Sequence, residues 1–105
     1  MAKKHLFAAV TPLGHRVMLT RDRWREIVRF KHPALAGYEG EVRACLRDPN
    51  VVRASVKDAD VHLYYRTTAG RYLCVVVGGE DLQARFVITA YFTDGIKKGR
   101  ELWTK

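Results

Sequence analysis

The stretch from Arg85 to Phe92 carries the side chains of this sequence that are best suited to chemistry. It predicts a β-strand, and the side chains of a strand alternate between the two faces of a sheet. One face is apolar and belongs in a core: Phe86, Ile88, Ala90 and Phe92. The other face presents a guanidinium, a hydroxyl and a phenol in one row, on Arg85, Thr89 and Tyr91, with Val87 between them. Solvation alone does not require that mixture, so we expect any chemistry on this second face.

Two further strands are predicted to supply side chains of the same kind. In strand 51–56 the apolar positions predict that Arg53 and Ser55 face outward, and in strand 61–66 they predict the same for three further residues. The strand 71–77 is apolar on both faces, so its orientation stays open. If the register permits, the result is one basic, hydroxylated and aromatic surface, made of Arg53, Ser55, His62, Tyr64, Arg66, Arg85, Thr89 and Tyr91.

This surface has a composition that suits RNA. Arginines neutralise phosphates, aromatic rings stack on unpaired bases, and hydroxyls hydrogen-bond to phosphate oxygens. The net charge of +8 also favours a nucleic-acid partner, since most of the cations are arginine. The alternative is an ordinary solvated sheet face, where Tyr and Thr are frequent because they favour strands. Both interpretations stay open.

Catalysis on this surface would require groups that move protons and hold charge. Metal-free RNA cleavage needs a group to activate the ribose 2′-OH, a proton donor for the leaving oxygen and cations for the phosphorane. His5 and His15 are expected at the surface, and His62 is expected at the start of a strand. His32 lies between two predicted helices, where a role in local packing explains it as well as a catalytic role does. No carboxylate pair, histidine cluster, Gly-x-Ser-x-Gly elbow or glycine-rich phosphate loop is present, so we predict no metal and no cofactor.

Length and composition predict a single domain over residues 1–105. The apolar fraction of 48% is too high for a disordered chain. Cys45 and Cys74 have no second cysteine at Cys-x-x-Cys spacing, so they fit small buried hydrophobic positions better than a zinc site. No segment has the length and apolarity of a signal peptide or a membrane span, which predicts a cytoplasmic protein without a membrane partner.

Periodicity and turn residues predict the order of the elements. Residues 6–10 and 15–19 can form a hairpin, and helices are predicted over 21–30, capped by Thr20, and over 34–47. Four strands follow, joined by connections too short for parallel crossovers, over 51–56, 61–66, 71–77 and 84–92. We therefore predict an α+β fold in which two N-terminal helices, with or without a preceding hairpin, pack on one face of a four-stranded antiparallel sheet.

A series of short motifs resembles the phage-associated PBECR nuclease-like domains, a branch of the barnase–EndoU–colicin–RelE (BECR) group. The motifs extend over most of the chain, from about residue 17 to residue 103, and their order is more specific than any single one. They are Trp24-x-x-Ile27, Lys31-His32-Pro33, Asp48-Pro49-Asn50, Leu63-Tyr64-Tyr65-Arg66, Phe86-Val87-Ile88-Thr89-Ala90-Tyr91 and Lys97-Lys98-Gly99.

The resemblance implies a RelE-like fold and metal-independent RNA cleavage of the kind used by toxins and phage effectors. It implies a catalytic set in which His32 is the acid–base group, Thr89 and Tyr91 are a hydroxyl pair and Arg66 is a phosphate-binding cation. Around that set, the predicted nucleic-acid-binding residues are Arg53, Ser55, His62, Tyr64, Arg85, Lys97 and Lys98. Related sequences often carry a histidine near the position of Glu26, so a purely binding member of the group is an alternative.

Three functions are therefore compatible with the sequence. The first is a small basic ribonuclease that cleaves RNA through 2′-OH attack and leaves a 2′,3′-cyclic phosphate. The second is a nucleic-acid-binding module without catalysis. The third is a domain whose basic surface binds an acidic protein partner, such as an antitoxin or an immunity protein.

Overall fold

The computed structural model describes residues 5–79, 81 and 83–105, which form a seven-stranded sheet and two α-helices. The helices, α1 (Arg21–Glu26) and α2 (Glu39–Arg47), lie between the second and third strands in the chain. The strands are β1 (His5–Val10), β2 (Arg16–Thr20), β3 (Val51–Ala54), β4 (His62–Thr68), β5 (Arg71–Gly78), β6 (Arg85–Thr93) and β7 (Glu101–Thr104).

The sheet is mixed, with the strand order β1-β2-β6-β5-β4-β3-β7. All neighbours run antiparallel except β2 and β6, which pair in parallel only at Val17 with Arg85 and at Met18 with Phe86. This short parallel contact joins the N-terminal hairpin to the antiparallel meander of β3 to β6. Beyond Phe86, β6 therefore has no strand on that side, and the segment Pro33–Leu35 packs against it instead.

The fold prediction is wrong in the size of the sheet and in the order of its elements. The α+β class holds, but the four-stranded antiparallel sheet is only the central part of a seven-stranded mixed one. The hairpin precedes the helices and belongs to the same sheet, and β7 pairs with β3 at the opposite edge. Parallel pairing of two residue pairs leaves no periodic signal, and Glu101–Thr104 is too short to show alternation.

The two predicted helices are each divided. Thr20 caps α1 as expected, because its Oγ1 accepts the N–H of Arg23 at 3.1 Å. The helix then widens into a π-helical turn, Ile27–Lys31, and ends before Pro33. The second predicted helix is replaced by a 3₁₀ turn, Pro33–Leu35, followed by α2. Gly37 separates them, since its φ of 86° is incompatible with a continuous right-handed helix.

Both faces of the sheet are partly apolar. The face covered by α1 and α2 forms the main core, which includes Trp24, Ile27, Val42, Tyr64 and Val75. The opposite face, called the open face below, carries a smaller cluster of Val51, Leu63, Tyr65 and Cys74, packed against Ile96 of the loop that precedes β7. Cys45 and Cys74 are both buried and unbridged, on opposite faces of the sheet.

A β-bulge in β6 changes which residues share a face. Thr89 pairs with Val76 of β5, but Val87 pairs with the next residue, Val77, so Ile88 is an extra residue. Val87 therefore belongs to the main core, whereas Tyr91 packs against the open-face cluster. Strict alternation had assigned these two residues to one face. It had also assigned Phe86 to the core, but 43% of that side chain is exposed.

Candidate functional site

The open face presents two rows of side chains from the central strands. The first row pairs Val51, Tyr65, Cys74 and Tyr91 across β3, β4, β5 and β6. The second row pairs Arg53, Leu63, Val76 and Thr89 in the same way. The predicted polar residues Arg53, Thr89 and Tyr91 therefore do share one surface, although apolar residues separate Arg53 from the other two.

Tyr91 lies at the centre of the most chemically capable group on this face, called the Tyr91 cluster below. The imidazole of His32 lies beside its ring, with centroids 5.8 Å apart. The ammonium of Lys97 lies 5.5 Å from the centroid of the same ring, in cation–π geometry. His32 reaches this position because the chain turns away from the π-helical turn at a φ of −140° and a ψ of 74°. The phenol ring of Tyr91 thus has both an imidazole and a primary ammonium as neighbours.

The loop 94–100 brings Lys97 to the open face. The hydroxyl of Tyr65 accepts the backbone N–H of Lys97 at 3.1 Å, and Nη1 of Arg53 donates to its carbonyl at 3.2 Å. The loop is also joined to β3, because the N–H of Ala54 donates to the carbonyl of Arg100 at 2.8 Å. Lys97 is therefore fixed by its backbone, while its side chain extends over Tyr91.

Burial keeps the hydroxyl and thiol groups of this face protonated at neutral pH. Desolvation, and then the neighbouring Cys74, raises the pKa of Tyr91 well above its usual value. Desolvation likewise raises the pKa of Tyr65 to about 12 and that of Cys74 to about 11. The phenol of Tyr91 therefore acts as a hydrogen-bond donor rather than as a base. The hydroxyl of Thr89 is buried and has no hydrogen-bond partner within the described residues.

Three residues predicted for this surface lie on the helix-covered face. Tyr64 is fully buried in the main core, and its hydroxyl donates to Oγ1 of Thr11 at 3.0 Å. His62 is 8% exposed and stacks on His15, with centroids 5.7 Å apart. Arg66 pairs with Asp48 at the C-terminal end of α2, at 2.9 Å. The prediction took Leu63 and Tyr65 as core-facing because they are apolar, but the open face has its own apolar cluster.

Arg85 is also removed from the predicted surface, because it is 1% exposed and precedes the bulge. Its guanidinium donates to backbone carbonyls of Gly79 at 2.6 Å, of Val77 at 3.4 Å and of Asp60. It therefore ties the loops before β4 and before β6 to the sheet. A buried arginine held by carbonyls in this way stabilises the fold and does not contact a solvent-borne substrate.

The remaining predicted residues lie near the open face without joining the Tyr91 cluster. Ser55 follows the end of β3, and its Oγ accepts the N–H of Lys57 at 3.3 Å. Lys98 is exposed next to Lys97. Sequence reasoning missed two contributors to this face, Tyr65 and Cys74. The motif Leu63-Tyr64-Tyr65-Arg66 contained the signal, but the wrong tyrosine was turned outward.

Two features are absent from the described part of the chain, a cluster of metal-ligating side chains and a membrane-spanning helix. No group of three or more His, Cys, Asp or Glu side chains there is arranged to hold a metal ion. No helix there is long and apolar enough to span a membrane.

Comparisons with protein-family models, with curated proteins and with solved structures gave no significant match. The likeness to PBECR domains therefore depends on the sequence motifs alone.

Proposed function

We propose that this chain binds RNA on its open face and cleaves it without a metal ion at the Tyr91 cluster. The observation that carries the proposal is that the ring of Tyr91 has two neighbours, the imidazole of His32 at 5.8 Å and the ammonium of Lys97 at 5.5 Å. These are the group types that acid–base catalysis of phosphodiester cleavage uses. The net charge of +8 supports a polyanionic substrate.

The proposed step is an intramolecular transesterification. His32 accepts the proton of a ribose 2′-OH, the 2′-oxygen forms a bond to the adjacent phosphorus, and the bond from phosphorus to the 5′-oxygen breaks. Tyr91 donates its proton to that leaving oxygen, because a departing alkoxide is a stronger base than a phenolate. Lys97 holds the negative charge on the equatorial phosphate oxygens. The products are a 2′,3′-cyclic phosphate and a free 5′-hydroxyl.

The test is cleavage of a labelled RNA of mixed sequence by the purified chain in the presence of EDTA. We expect products ending in 2′,3′-cyclic phosphate, and no cleavage where the scissile 2′-OH is replaced by hydrogen. His32→Ala and Tyr91→Phe should each lower the rate by about 10²- to 10⁴-fold, the usual contribution of an acid–base group. Tyr38→Phe is the matched control, because Tyr38 packs on Phe92 in the main core. Intact RNA over a wide pH range would refute the proposal, as would unchanged rates in both site variants.

A nucleic-acid-binding module is the second candidate. It is favoured by the raised pKa of Tyr91, which makes this phenol a weaker acid than most catalytic groups. This function predicts RNA affinity that falls steeply with salt, without any products. Binding measured by fluorescence anisotropy at several salt concentrations, together with the cleavage assay, separates the two candidates.

A further inference from the structure

An open groove of about 500 Å³ is lined by α1, the π-helical turn that follows it and the turn before α2, and it includes no residue of the Tyr91 cluster. Its floor is apolar: Trp24 is a main-core residue, and Leu6 and Val28 pack against that core while remaining partly exposed. One side is closed by the turn at Ala36 and Gly37. The groove therefore offers an apolar strip on a protein with a net charge of +8.

The rim of the groove is basic. Arg21, Arg25 and Arg29 all line it, at intervals of four residues along α1 and the π-helical turn. All three are exposed. Of the nearby carboxylates, Asp22 lies 3.6 Å from Arg25, Glu26 pairs with Arg23 at 2.8 Å, and Glu39 also lines the groove. Phe30, next to Arg29 in the chain, is also 76% exposed. The rim carries more positive charge than its own neighbours neutralise.

We propose that this groove binds an acidic amphipathic helix of a partner protein. Apolar side chains of the partner would lie on Trp24, Leu6 and Val28, and its carboxylates would pair with Arg21, Arg25 and Arg29. Carboxylates three or four residues apart on a helix match the four-residue spacing of the arginines. Arginine and carboxylate groups can pair through two parallel hydrogen bonds. Exposed ion pairs contribute little affinity by themselves, so the apolar floor adds the buried apolar area that stabilises the complex.

Charge and the apolar floor disfavour two other occupants of the groove. A second copy of this chain carries a net charge of +8 and would meet the arginine rim with the same sign. Nucleic acid would satisfy the arginines, but Trp24, the aromatic residue of the floor, is 8% exposed and offers little ring surface for a base to stack on.

Selection from a displayed library of random 16-residue peptides against the full chain tests the proposal. We expect the enriched peptides to combine Leu or aromatic residues at helical spacing with Asp or Glu. Arg25→Glu with Arg29→Glu should weaken their binding at least tenfold, whereas Arg43→Glu with Arg47→Glu, two exposed positions on α2, should not. Replacing the acidic peptide residues by Lys should restore binding to the Arg25→Glu, Arg29→Glu variant, which also shows that the variant is folded.

Three results would overturn the proposal. One is a set of enriched peptides without acidic residues, or with equal affinity for the charge-reversed chain. Another is self-association, measured by sedimentation, that the Arg25→Glu, Arg29→Glu variant abolishes. The third is RNA affinity that this variant loses while the wild-type chain selects no peptide. The outcome of the peptide selection does not depend on whether the chain cleaves RNA, because Arg25 and Arg29 do not belong to the Tyr91 cluster.

Discussion

The phenolic oxygen of Tyr65 accepts the backbone N–H of Lys97 at 3.1 Å, across 32 positions of the chain. Tyr65 lies in the centre of the sheet and Lys97 in the loop before β7, so this hydrogen bond fixes a loop residue to a rigid strand. Arg53 holds the carbonyl of the same residue at 3.2 Å. The ammonium of Lys97 is thereby placed at Tyr91 by two side chains that do not themselves contact its charge.

Tyr65→Phe should release the backbone of Lys97 while leaving the ring in the open-face cluster. We expect the free energy of unfolding to fall by about 1 kcal/mol, the usual net value of one hydrogen bond. We expect the rate of RNA cleavage to fall by a larger fraction than the free energy of unfolding does. Hydrogen exchange at the Lys97 amide should become faster, while exchange in β4 and β5 should not. Unchanged amide protection at Lys97 would show that Arg53 alone fixes the loop.

Arg85→Met should destabilise the chain by about 2–4 kcal/mol, because three backbone carbonyls lose a charged donor that is itself fully buried. The free energy of unfolding in urea measures this loss. Arg71→Met is the matched control, because Arg71 is exposed and forms a surface ion pair with Asp94 at 3.0 Å and a cation–π contact with Phe92 at 5.9 Å. Equal stability of the wild type and Arg85→Met would mean that the cost of burying the guanidinium cancels its hydrogen bonds.

The sequence predicted the local elements of this fold better than its long-range pairing. The Thr20 cap and the antiparallel order of β3, β4, β5 and β6 followed from local signals. The pairing of Val17 with Arg85 did not, because it joins residues far apart in the chain and involves only two residue pairs in all. The π-helical turn at Ile27–Lys31 also lacks a local signal, and it sets the position of His32.

The site could be predicted only where one face of a strand is polar. In β3 the alternation is clear, and Arg53 lies on the open face as expected. In β4 both faces are buried, so periodicity could not distinguish Tyr64 from Tyr65. In β6 the extra residue Ile88 breaks the alternation, which removed Arg85 from the face of Tyr91.

Acidification should destabilise the chain through His62. Burial lowers the pKa of His62 from 6.5 to about 4, with smaller contributions from Arg85 and His15. Below pH 6.5 the imidazole of His62 therefore binds a proton in the unfolded chain but stays neutral in the folded chain. The contribution of His62 to the free energy of unfolding is complete above pH 6.5 and falls as the pH decreases toward 4. Urea unfolding at pH values between 7 and 4.5 measures this effect.

His62→Gln should flatten that dependence. The pKa of His15 is also lowered, so a smaller slope should remain in the His62→Gln variant. The chosen window lies above the range in which Asp48 responds, since its ion pairs with Lys105 and Arg66 hold its pKa below 3.8. An identical pH dependence in wild type and variant would assign the effect to other groups.

Lys97→Ala should weaken RNA binding more than Lys98→Ala, although the two lysines are adjacent and both exposed. Only Lys97 is placed on Tyr91 by a fixed backbone. If Lys97 contacts one phosphate, its removal should lower the slope of log affinity against log salt by about 1. Equal effects of the two substitutions would indicate a diffuse basic loop instead of a defined contact.

Gly99→Ala should detach the loop 94–100 from β3. Gly99 has a φ of 156°, which is unfavourable for other residues, and a Cβ there would lie 2.1 Å from the carbonyl oxygen of Ala54. That oxygen belongs to a rigid strand, so the loop has to move away. We expect a loss of about 2–4 kcal/mol from strain and from the broken contact, and slower RNA cleavage because Lys97 leaves Tyr91.

Gly95→Ala is the matched control for this substitution. Gly95 lies in the same loop, but a Cβ there would meet no atom within 4 Å, and its φ is not positive. The free energy of unfolding of Gly95→Ala should therefore equal or slightly exceed that of the wild type, because alanine restricts the unfolded chain more than glycine does. Gly99→Ala should unfold at a lower temperature than Gly95→Ala and should also cleave RNA more slowly. If both variants cleave RNA at the wild-type rate while Gly99→Ala is destabilised, the loop supports the fold but does not position a catalytic lysine.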